Sequence, residues 1–359
     1  MPRPALALSM LALLFAAAPA PAGGQALPDI EPSVPFDPHV VQRDGAWYLG
    51  FATAARNLGP GALRIAGQGD GSGVMTARQL SEDGAQLLNP NVGALHYVST
   101  ATHQHWHYMD FMRYELRGVD RPSVLRDQKQ GFCLGDAPFV RDWCSSNAPA
   151  ATATQIGLRS GGLEVYARNV EGQEIRVDPQ TAPAGRYVLS ARIGPTGVLR
   201  ETRSDNNVAM ALIELDWPAT GAVATSKTCV GGGCAWRLPA RSASAARRLA
   251  RKAVRRTLGR PARRGVRASC RRRARAHTCR VRIRRGRLSV RGKVRVWYRV
   301  DTAASRWYHT VKVVRRTSGC SGCTRRIRRS KRIGGTVAGG TQPATARASA
   351  ASFVCRLAP

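Results

Sequence analysis

Three histidines at alternate positions are the residues whose types and spacing could do chemistry: His103, His105 and His107, separated by Gln104 and Trp106. Residues two apart diverge around a helix but share one face of a β-strand. Because neutral imidazole is the commonest protein metal ligand, this spacing predicts a metal site on a strand that bends enough for the rings to meet. An all-nitrogen set suits Cu(II) at least as well as zinc. The alternative is a polar strand face that carries histidine without binding a metal.

The segments around these histidines are short and either apolar or alternating, and Gly, Pro, Asn and Asp separate them. Long amphipathic helices are missing from this part of the chain. The pattern is typical of an all-β fold, and we predict a β-sandwich. The predicted strands are residues 46–53, 94–98, 102–114, 163–170, 173–177, 186–193 and 208–215.

The first 22 residues predict a secretory signal peptide. Arg3 provides the positive start, residues 5–18 an apolar run, and residues 20–22 (Ala-Pro-Ala) a small-residue cleavage site. The apolar run is shorter than the ~20 residues that span a bilayer. No later segment is apolar enough to span one, so we expect a secreted, extracellular protein without a membrane span.

Secretion makes disulfides the expected state of the nine cysteines. The glycines between Cys229 and Cys234 permit a tight turn, which predicts a small disulfide loop there. Cys320 and Cys323 have the CxxC spacing of zinc or redox sites, but no second CxxC and no nearby histidine supports zinc. An odd number of cysteines leaves at least one thiol free or paired between chains.

The chain changes character after residue 240. Residues 1–240 contain 20 Lys and Arg against 21 Asp and Glu, whereas residues 241–359 contain 36 basic residues and a single acid, Asp301. The length predicts two domains. We expect a helix over residues 242–260 and strands over 278–283, 288–300 and 307–314. The predicted organisation is a signal peptide (1–22), a sandwich domain (23–216), a linker with the Cys loop (217–241), a basic α+β domain (242–333) and a flexible tail (334–359).

The charge and composition of the basic domain predict an anionic partner. Its arginine runs are interleaved with Trp297, Tyr298, Trp307 and Tyr308, a pattern typical of surfaces that bind polyanions. For a secreted protein we expect an anionic wall polymer, an acidic polysaccharide or extracellular DNA, bound through residues 242–333. A DNA-binding protein is a further hypothesis, and nucleic acid in general is the less natural target. Because like charges repel, we interpret this domain as a tether and not as the element that recognises a lysine-rich substrate.

The histidine segment, residues 103–116, closely resembles the copper segment of the lysyl oxidase family, including Met109 and Asp110 after the histidines. The likeness continues in chain order and covers about residues 27–216, without reaching the basic domain. The other matching segments are residues 27–29, 51–63, 129–136 with the cofactor lysine, 165–175 with the cofactor tyrosine, 183–189 and 201–207.

The resemblance implies that His103, His105 and His107 bind copper, and that Lys129 and Tyr166 are the precursors of a lysine tyrosylquinone cofactor. It implies a copper-dependent amine oxidase that converts primary amines, including peptidyl lysine, to aldehydes, consuming O2 and releasing ammonia and hydrogen peroxide. The alternative hypothesis is a non-catalytic secreted sandwich that holds a metal and is tethered by its basic domain to an anionic surface.

The sequence departs from the family pattern at three positions. Thr102 stands where the animal enzymes have a cysteine, and Gly162 and Gly172 stand where the family has both halves of a disulfide. The resemblance implies that Cys133 and Cys144 pair with each other. Asp110 is a weak candidate for the catalytic base because it lies next to the histidine strand.

Overall fold

A computed structural model describes residues 25–100, 104–121, 123–127, 129, 131–136, 148–258, 265–285, 288–317, 324–329 and 335–336. The signal peptide predicted over residues 1–22 lies outside these ranges. So do His103, Thr102 and Cys144, together with the last three cysteines of the chain (320, 323 and 355).

Among the described residues before residue 217, every regular element is a strand, as the sequence predicted. The predicted strand over residues 102–114 is divided by a turn at residues 109–111. Several of the other strands, including the first two, were not predicted. The strands are β1 (Ile30–Pro32), β2 (Phe36–Arg43), β3 (Ala46–Asn57), β4 (Leu63–Gly69), β5 (Val74–Leu80), β6 (Leu87–Ser99), β7 (Gln104–Tyr108), β8 (Met112–Gly118), β9 (Val124–Arg126), β10 (Ala153–Leu158), β11 (Leu163–Tyr166), β12 (Glu174–Val177), β13 (Gly185–Ile193) and β14 (Val208–Leu215).

The segment predicted as a linker forms three more strands, β15 (Gly221–Ala222), β16 (Thr225–Val230) and β17 (Ala235–Leu238). β15 pairs with β2 and β16 with β14, so both extend the first domain. The predicted disulfide joins Cys229 to Cys234, between β16 and β17. The segment therefore belongs to the folded body instead of separating two bodies.

Three antiparallel sheets make up the sandwich-like domain. In the first sheet, the 12-residue strand β3 pairs with β1, β2, β11 and β12. A second sheet has the order β10-β4-β5-β6-β7, and a third the order β16-β14-β13-β8-β9. The turn at residues 109–111 thus carries the chain from the second sheet into the third.

Apolar side chains from all three sheets meet in one core. Phe51 of β3 packs edge to face against Tyr114 of β8, with ring centroids 4.8 Å apart. Leu95 of β6 and Trp106 of β7 are also buried there. Each large apolar side chain buried in this way stabilises the fold by about 1.5–3 kcal/mol.

The basic domain consists of one helix and a sheet. The helix, α1 (Ala243–Leu258), starts where predicted, because the Oγ atom of Ser242 accepts a hydrogen bond from the Ala245 backbone N at 3.1 Å and caps it. The sheet contains β17 and the strands β18 (Arg267–Arg273), β19 (Ala276–Arg285), β20 (Leu288–Asp301), β21 (Ser305–Thr317), β22 (Thr324–Arg329) and β23 (Gly335–Thr336). Two of these, β22 and β23, place part of the Arg-rich run and the start of the predicted tail within the sheet. A second disulfide joins Cys270 to Cys279 across β18 and β19.

The basic domain covers the outer face of the third sheet. Val188 of β13 and Met210 of β14 belong to one apolar cluster with α1 and the inner face of the basic sheet. Arg117 of β8, 4% exposed, donates hydrogen bonds to the backbone oxygens of Asp301 at 2.6 Å and Thr302 at 3.4 Å. Burial and charge-assisted hydrogen bonds therefore hold the two parts together. Within the described ranges, no helix is both long and apolar enough to cross a membrane.

Candidate active site

Two of the three predicted metal ligands lie on β7. Trp106 and Tyr108 point to the core and are buried, so His105 and His107 point to the opposite face. The ring centroids of His105 and His107 are 4.8 Å apart. His107 is 5% exposed, and His105 is half-buried. The strand geometry thus brings these two imidazoles together, while His103 lies outside the described residues.

A third imidazole, which the sequence analysis did not single out, shares this face. His96 of β6 stands directly opposite His107 in the antiparallel pair, so both side chains leave the same side of the sheet. Within the described part of the chain, no three His, Cys, Asp or Glu side chains are grouped closely enough to hold a metal. Among the described residues, His96, His105 and His107 therefore share one face of the sheet without forming a metal-binding group of three.

The segment that carries Lys129 is attached to the histidine strand. Backbone N and O atoms of Phe132 pair with those of Tyr108, at 2.8 and 3.0 Å. Gly131 lies between, at a φ of +75°, and a Cβ there would come within 2.9 Å of the His107 Cβ. Only glycine permits this backbone conformation and this approach without strain. The contact sets Lys129 beside the strand that carries the histidines.

Tyr166 is the last residue of β11 and stands opposite Thr53 of β3. Its ring packs edge to face on Phe132, with centroids 4.9 Å apart, and its Oη donates a hydrogen bond to the Cys133 backbone oxygen at 2.7 Å. Burial raises the pKa of Tyr166 well above its ordinary value, with the charge of Glu164 adding to the effect. The phenol is therefore held protonated and fixed in direction. Cys133 itself is disulfide-bonded.

Lys129 and Tyr166 are brought together by this arrangement. The Lys129 Nζ lies 5.4 Å from the centre of the Tyr166 ring and 4.9 Å from that of Phe132. The amine donates a hydrogen bond to the Glu171 backbone oxygen at 3.4 Å. Burial lowers the pKa of Lys129 to about 8, against the opposing charges of Asp127 and Glu171. A neutral, nucleophilic amine is therefore accessible close to neutral pH.

The loop after β11 completes the site because two of its residues fit closely. Gly172 has a φ of +75°, and a Cβ there would lie 3.2 Å from the Lys129 Cα. Next to it, buried Gln173 donates hydrogen bonds from Nε2 to the Thr53 Oγ1 at 3.0 Å and to the Tyr114 Oη at 2.9 Å. A cysteine at 172 would be strained, so the loss of the family disulfide here coincides with a backbone that requires glycine.

A cavity of about 210 Å³ opens beside these groups. His107 and Lys129 both line it, so the histidine strand and the lysine face one space. The remaining lining residues combine carboxylates, one arginine and small or half-apolar side chains: Tyr48, Val98, Thr100, Gly131, Glu171, Gly172, Glu174 and Arg176. Asp110, the weak candidate for the base, is not one of them and lies against Gly93 instead.

The sequence analysis missed two half-buried carboxyls near the lysine and the tyrosine, those of Asp127 and Glu164. Asp127 accepts a hydrogen bond from the Tyr114 backbone N at 3.3 Å, and burial raises its pKa to about 6. Burial likewise raises the pKa of Glu164, on the strand of Tyr166, to about 7. The only sequence signal is their position: Asp127 is two residues before Lys129, and Glu164 is two residues before Tyr166. This spacing does not distinguish a half-buried carboxyl from a solvated one.

The lysyl oxidase family model matches residues 75–225, a range that includes the histidine strand, Lys129 and Tyr166. This part of the chain is a domain of the lysyl oxidase family. The matched range runs from β5 to the first residue of β16 and stops before the helix and sheet of the basic domain. Lysyl oxidases are amine oxidases, so the matched domain is of an oxidoreductase type. No curated protein matches the chain significantly.

Proposed function

We propose that this protein is a secreted, copper-dependent amine oxidase that converts primary amines to aldehydes with O2 as the oxidant. Peptidyl lysine is a candidate substrate. Ammonia and hydrogen peroxide are the other products. The single observation that carries the proposal is the 5.4 Å separation of the Lys129 Nζ from the Tyr166 ring centre. The two residues are 37 positions apart in the sequence, and the fold brings them to one site.

The residues at the site fit the two groups that the family implies. Imidazole nitrogens at His105 and His107, with His103 two residues earlier in the sequence, would form the donor set that copper accepts. An amine beside a phenol ring provides the two side chains of a lysine tyrosylquinone. When formed, that cofactor supplies an electrophilic carbonyl, which no ordinary side chain provides.

The surrounding residues hold and orient these groups. The hydrogen bond from Tyr166 to the Cys133 backbone and the packing of Phe132 fix the plane of the ring. Burial keeps Lys129 partly neutral, which is the form that adds to an electrophile. Both effects favour cross-linking between these two side chains over reaction with solvent.

The cavity favours a cationic amine as the substrate. Glu171 and Glu174 place two carboxylates on its wall, beside the cations Lys129 and Arg176, and a protonated primary amine is attracted to the carboxylates. Thr100 donates a hydrogen bond to the Glu171 Oε2 at 3.0 Å, and Arg43 forms an ion pair with Glu174. These contacts orient the carboxylates at the entrance to the lysine.

The test is to load the purified protein with copper in air and to measure its intact mass and visible spectrum. We expect a change in mass and a visible band that shifts with phenylhydrazine, followed by peroxide release when primary amines or lysyl peptides are added. A colourless, unmodified protein with full copper occupancy would instead favour the non-catalytic metal-binding sandwich. Secretion is tested separately, by the N-terminal residue of the exported protein, which we expect after Ala22.

A further inference from the structure

The outward face of the basic sheet carries cations in rows that cross the strands. Side chains alternate along each strand, so that Val294 and Val296 of β20 are buried while Lys293 and Arg295 are exposed. The register places exposed cations directly opposite one another on adjacent strands. One row is Arg267, Arg282 and Arg291 on β18, β19 and β20, and a second is Arg280, Lys293 and Lys312 on β19, β20 and β21.

A third row lies towards the other end of the sheet. It consists of Arg237 of β17, Arg299 of β20 and Arg306 of β21. We call the three rows together the basic face. Asp301, the only acid after residue 240, lies at the end of the third row, with its Oδ2 3.7 Å from the Arg299 Nε. One carboxylate cannot neutralise three rows of cations.

Like charges directly opposite one another destabilise a sheet. The basic face therefore costs folding free energy in the free protein, and an anionic ligand that lies on it relieves that repulsion. The apolar cluster beneath the sheet and the Cys270–Cys279 disulfide hold the cations in place despite it. Such a fixed array favours a partner with a regular series of negative charges.

Only part of the aromatic surface of this domain is available for stacking with bases. Tyr298 and Trp307 point inward and are 5% and 4% exposed. The Arg237 guanidinium lies 4.0 Å from the centre of the Trp297 ring, and the Tyr308 ring lies 6.0 Å from it and nearly parallel. Because Arg237 and Tyr308 already pack on the half-buried Trp297 ring, this residue offers less surface to a stacking base.

The cations of the basic face suit a partner with regularly spaced carboxylates. Exposed residues repeat every ~6.7 Å along a strand and ~4.8 Å across strands. Most of the cations in the three rows are arginines, and planar guanidinium groups bind carboxylates in pairs of hydrogen bonds.

We propose that the basic face binds a linear acidic polysaccharide whose carboxylates lie along and across the rows of arginine and lysine. The site lies on the sheet face that points away from the helix and from the first domain. It is independent of the amine oxidase proposal and holds whether or not the cofactor forms. It places the enzyme on an anionic matrix and leaves the cavity free.

The test compares two variants of the full-length protein that lose the same charge. Arg280→Gln/Lys293→Gln/Lys312→Gln removes the second row, whereas Arg247→Gln/Arg251→Gln/Arg255→Gln removes three exposed arginines of α1. Binding to immobilised alginate, a polyuronate, is measured over a range of NaCl concentrations. Each ionic contact contributes about one unit to the slope of log K against log salt.

We expect the row variant to lose about tenfold or more in alginate affinity near 0.15 M salt, with a slope smaller by about two to three units. The helix variant should keep its affinity within about twofold. The melting temperature of the row variant should be equal to or above that of the wild type, because opposed cations are removed. Equal losses in the two variants overturn the proposal, and so does tighter binding of single-stranded or duplex DNA at matched charge concentration.

Discussion

The two domains use ionisable side chains in opposite ways. In the sandwich-like domain, Lys129, Asp127 and Glu164 are half-buried, and this partial burial shifts the pKa of each towards neutrality. On the basic face the cations remain exposed and meet one another across the strands. Burial creates reactivity, because it makes the uncharged form of an acid or base accessible. Exposure creates long-range attraction, which positions a molecule but changes no bond.

Replacement of Tyr166 tests the reactive site of the sandwich-like domain, and we expect it to have the largest effect on activity. Tyr166→Phe removes the oxygen that a quinone requires, so the copper-loaded protein should show no visible band and no peroxide release above background. The fold should lose only about 1 kcal/mol, the value of one hydrogen bond. Tyr187→Phe is the matched control, because the Tyr187 Oη also donates to a backbone oxygen, that of Pro183, far from the site. Retention of the band in Tyr166→Phe would exclude this residue as the precursor.

The pH dependence of cofactor formation tests whether burial tunes Lys129. With a pKa of about 8, the neutral fraction of the amine rises about 50-fold between pH 6 and pH 8 and then levels off. The initial rate at which the visible band appears after copper is added in air should follow that curve. A rate that still climbs tenfold per pH unit above pH 9 would mean that Lys129 titrates as an exposed lysine.

The inner face of the basic sheet provides a test of burial in that domain. His309 is 1% exposed, and within the described residues neither ring nitrogen has a hydrogen-bond partner. Burial lowers its pKa to about 4, with the Arg256 charge adding to the shift. Because the folded state favours the neutral ring, protonation of the unfolded state below about pH 6.5 lowers the free energy of unfolding. About 2–3 kcal/mol of that free energy is lost as the pH falls to 4. Urea unfolding at pH 7 and pH 4 measures this loss, which should shrink in His309→Phe.

The contact between the two domains should give the smallest effect. Arg117→Gln removes hydrogen bonds to Asp301 and Thr302 and should lower the free energy of unfolding by about 1–2 kcal/mol. Arg192→Gln, an exposed arginine on β13, is the control. If both variants unfold at the same urea concentration as the wild type, the arginine contributes nothing to the attachment of the basic domain.

Alternation of side chains explains why much of the fold was predictable. β13, β14 and the strands of the basic sheet alternate clearly, and Ser242 marks the start of α1. The strand over residues 102–114 was predicted as one because its apolar residues continue through the turn. The linker was misread because its glycines and small residues favour turns, whereas pairing with β2, β14 and β20 makes it strand.

The site was predictable in its residue types but not in its environment. The histidine spacing indicated a shared strand face, and the two described rings are neighbours on it. His96, Asp127 and Glu171 gave no signal, because their positions depend on cross-strand register and on loops packed from other parts of the chain. The aromatic residues of the basic domain read as a stacking surface, yet strand direction turned Tyr298 and Trp307 inward.

The amino-acid order alone determined the division into a near-neutral and a basic part, the β-rich character of the first and the identity of the candidate reactive side chains. Tertiary structure decided that Lys129 meets Tyr166, because β11 pairs with β3 while Phe132 pairs with Tyr108. It also decided which charges are buried and which stand exposed in rows. Both outcomes depend on the distance from solvent and from other strands, which a linear pattern does not contain.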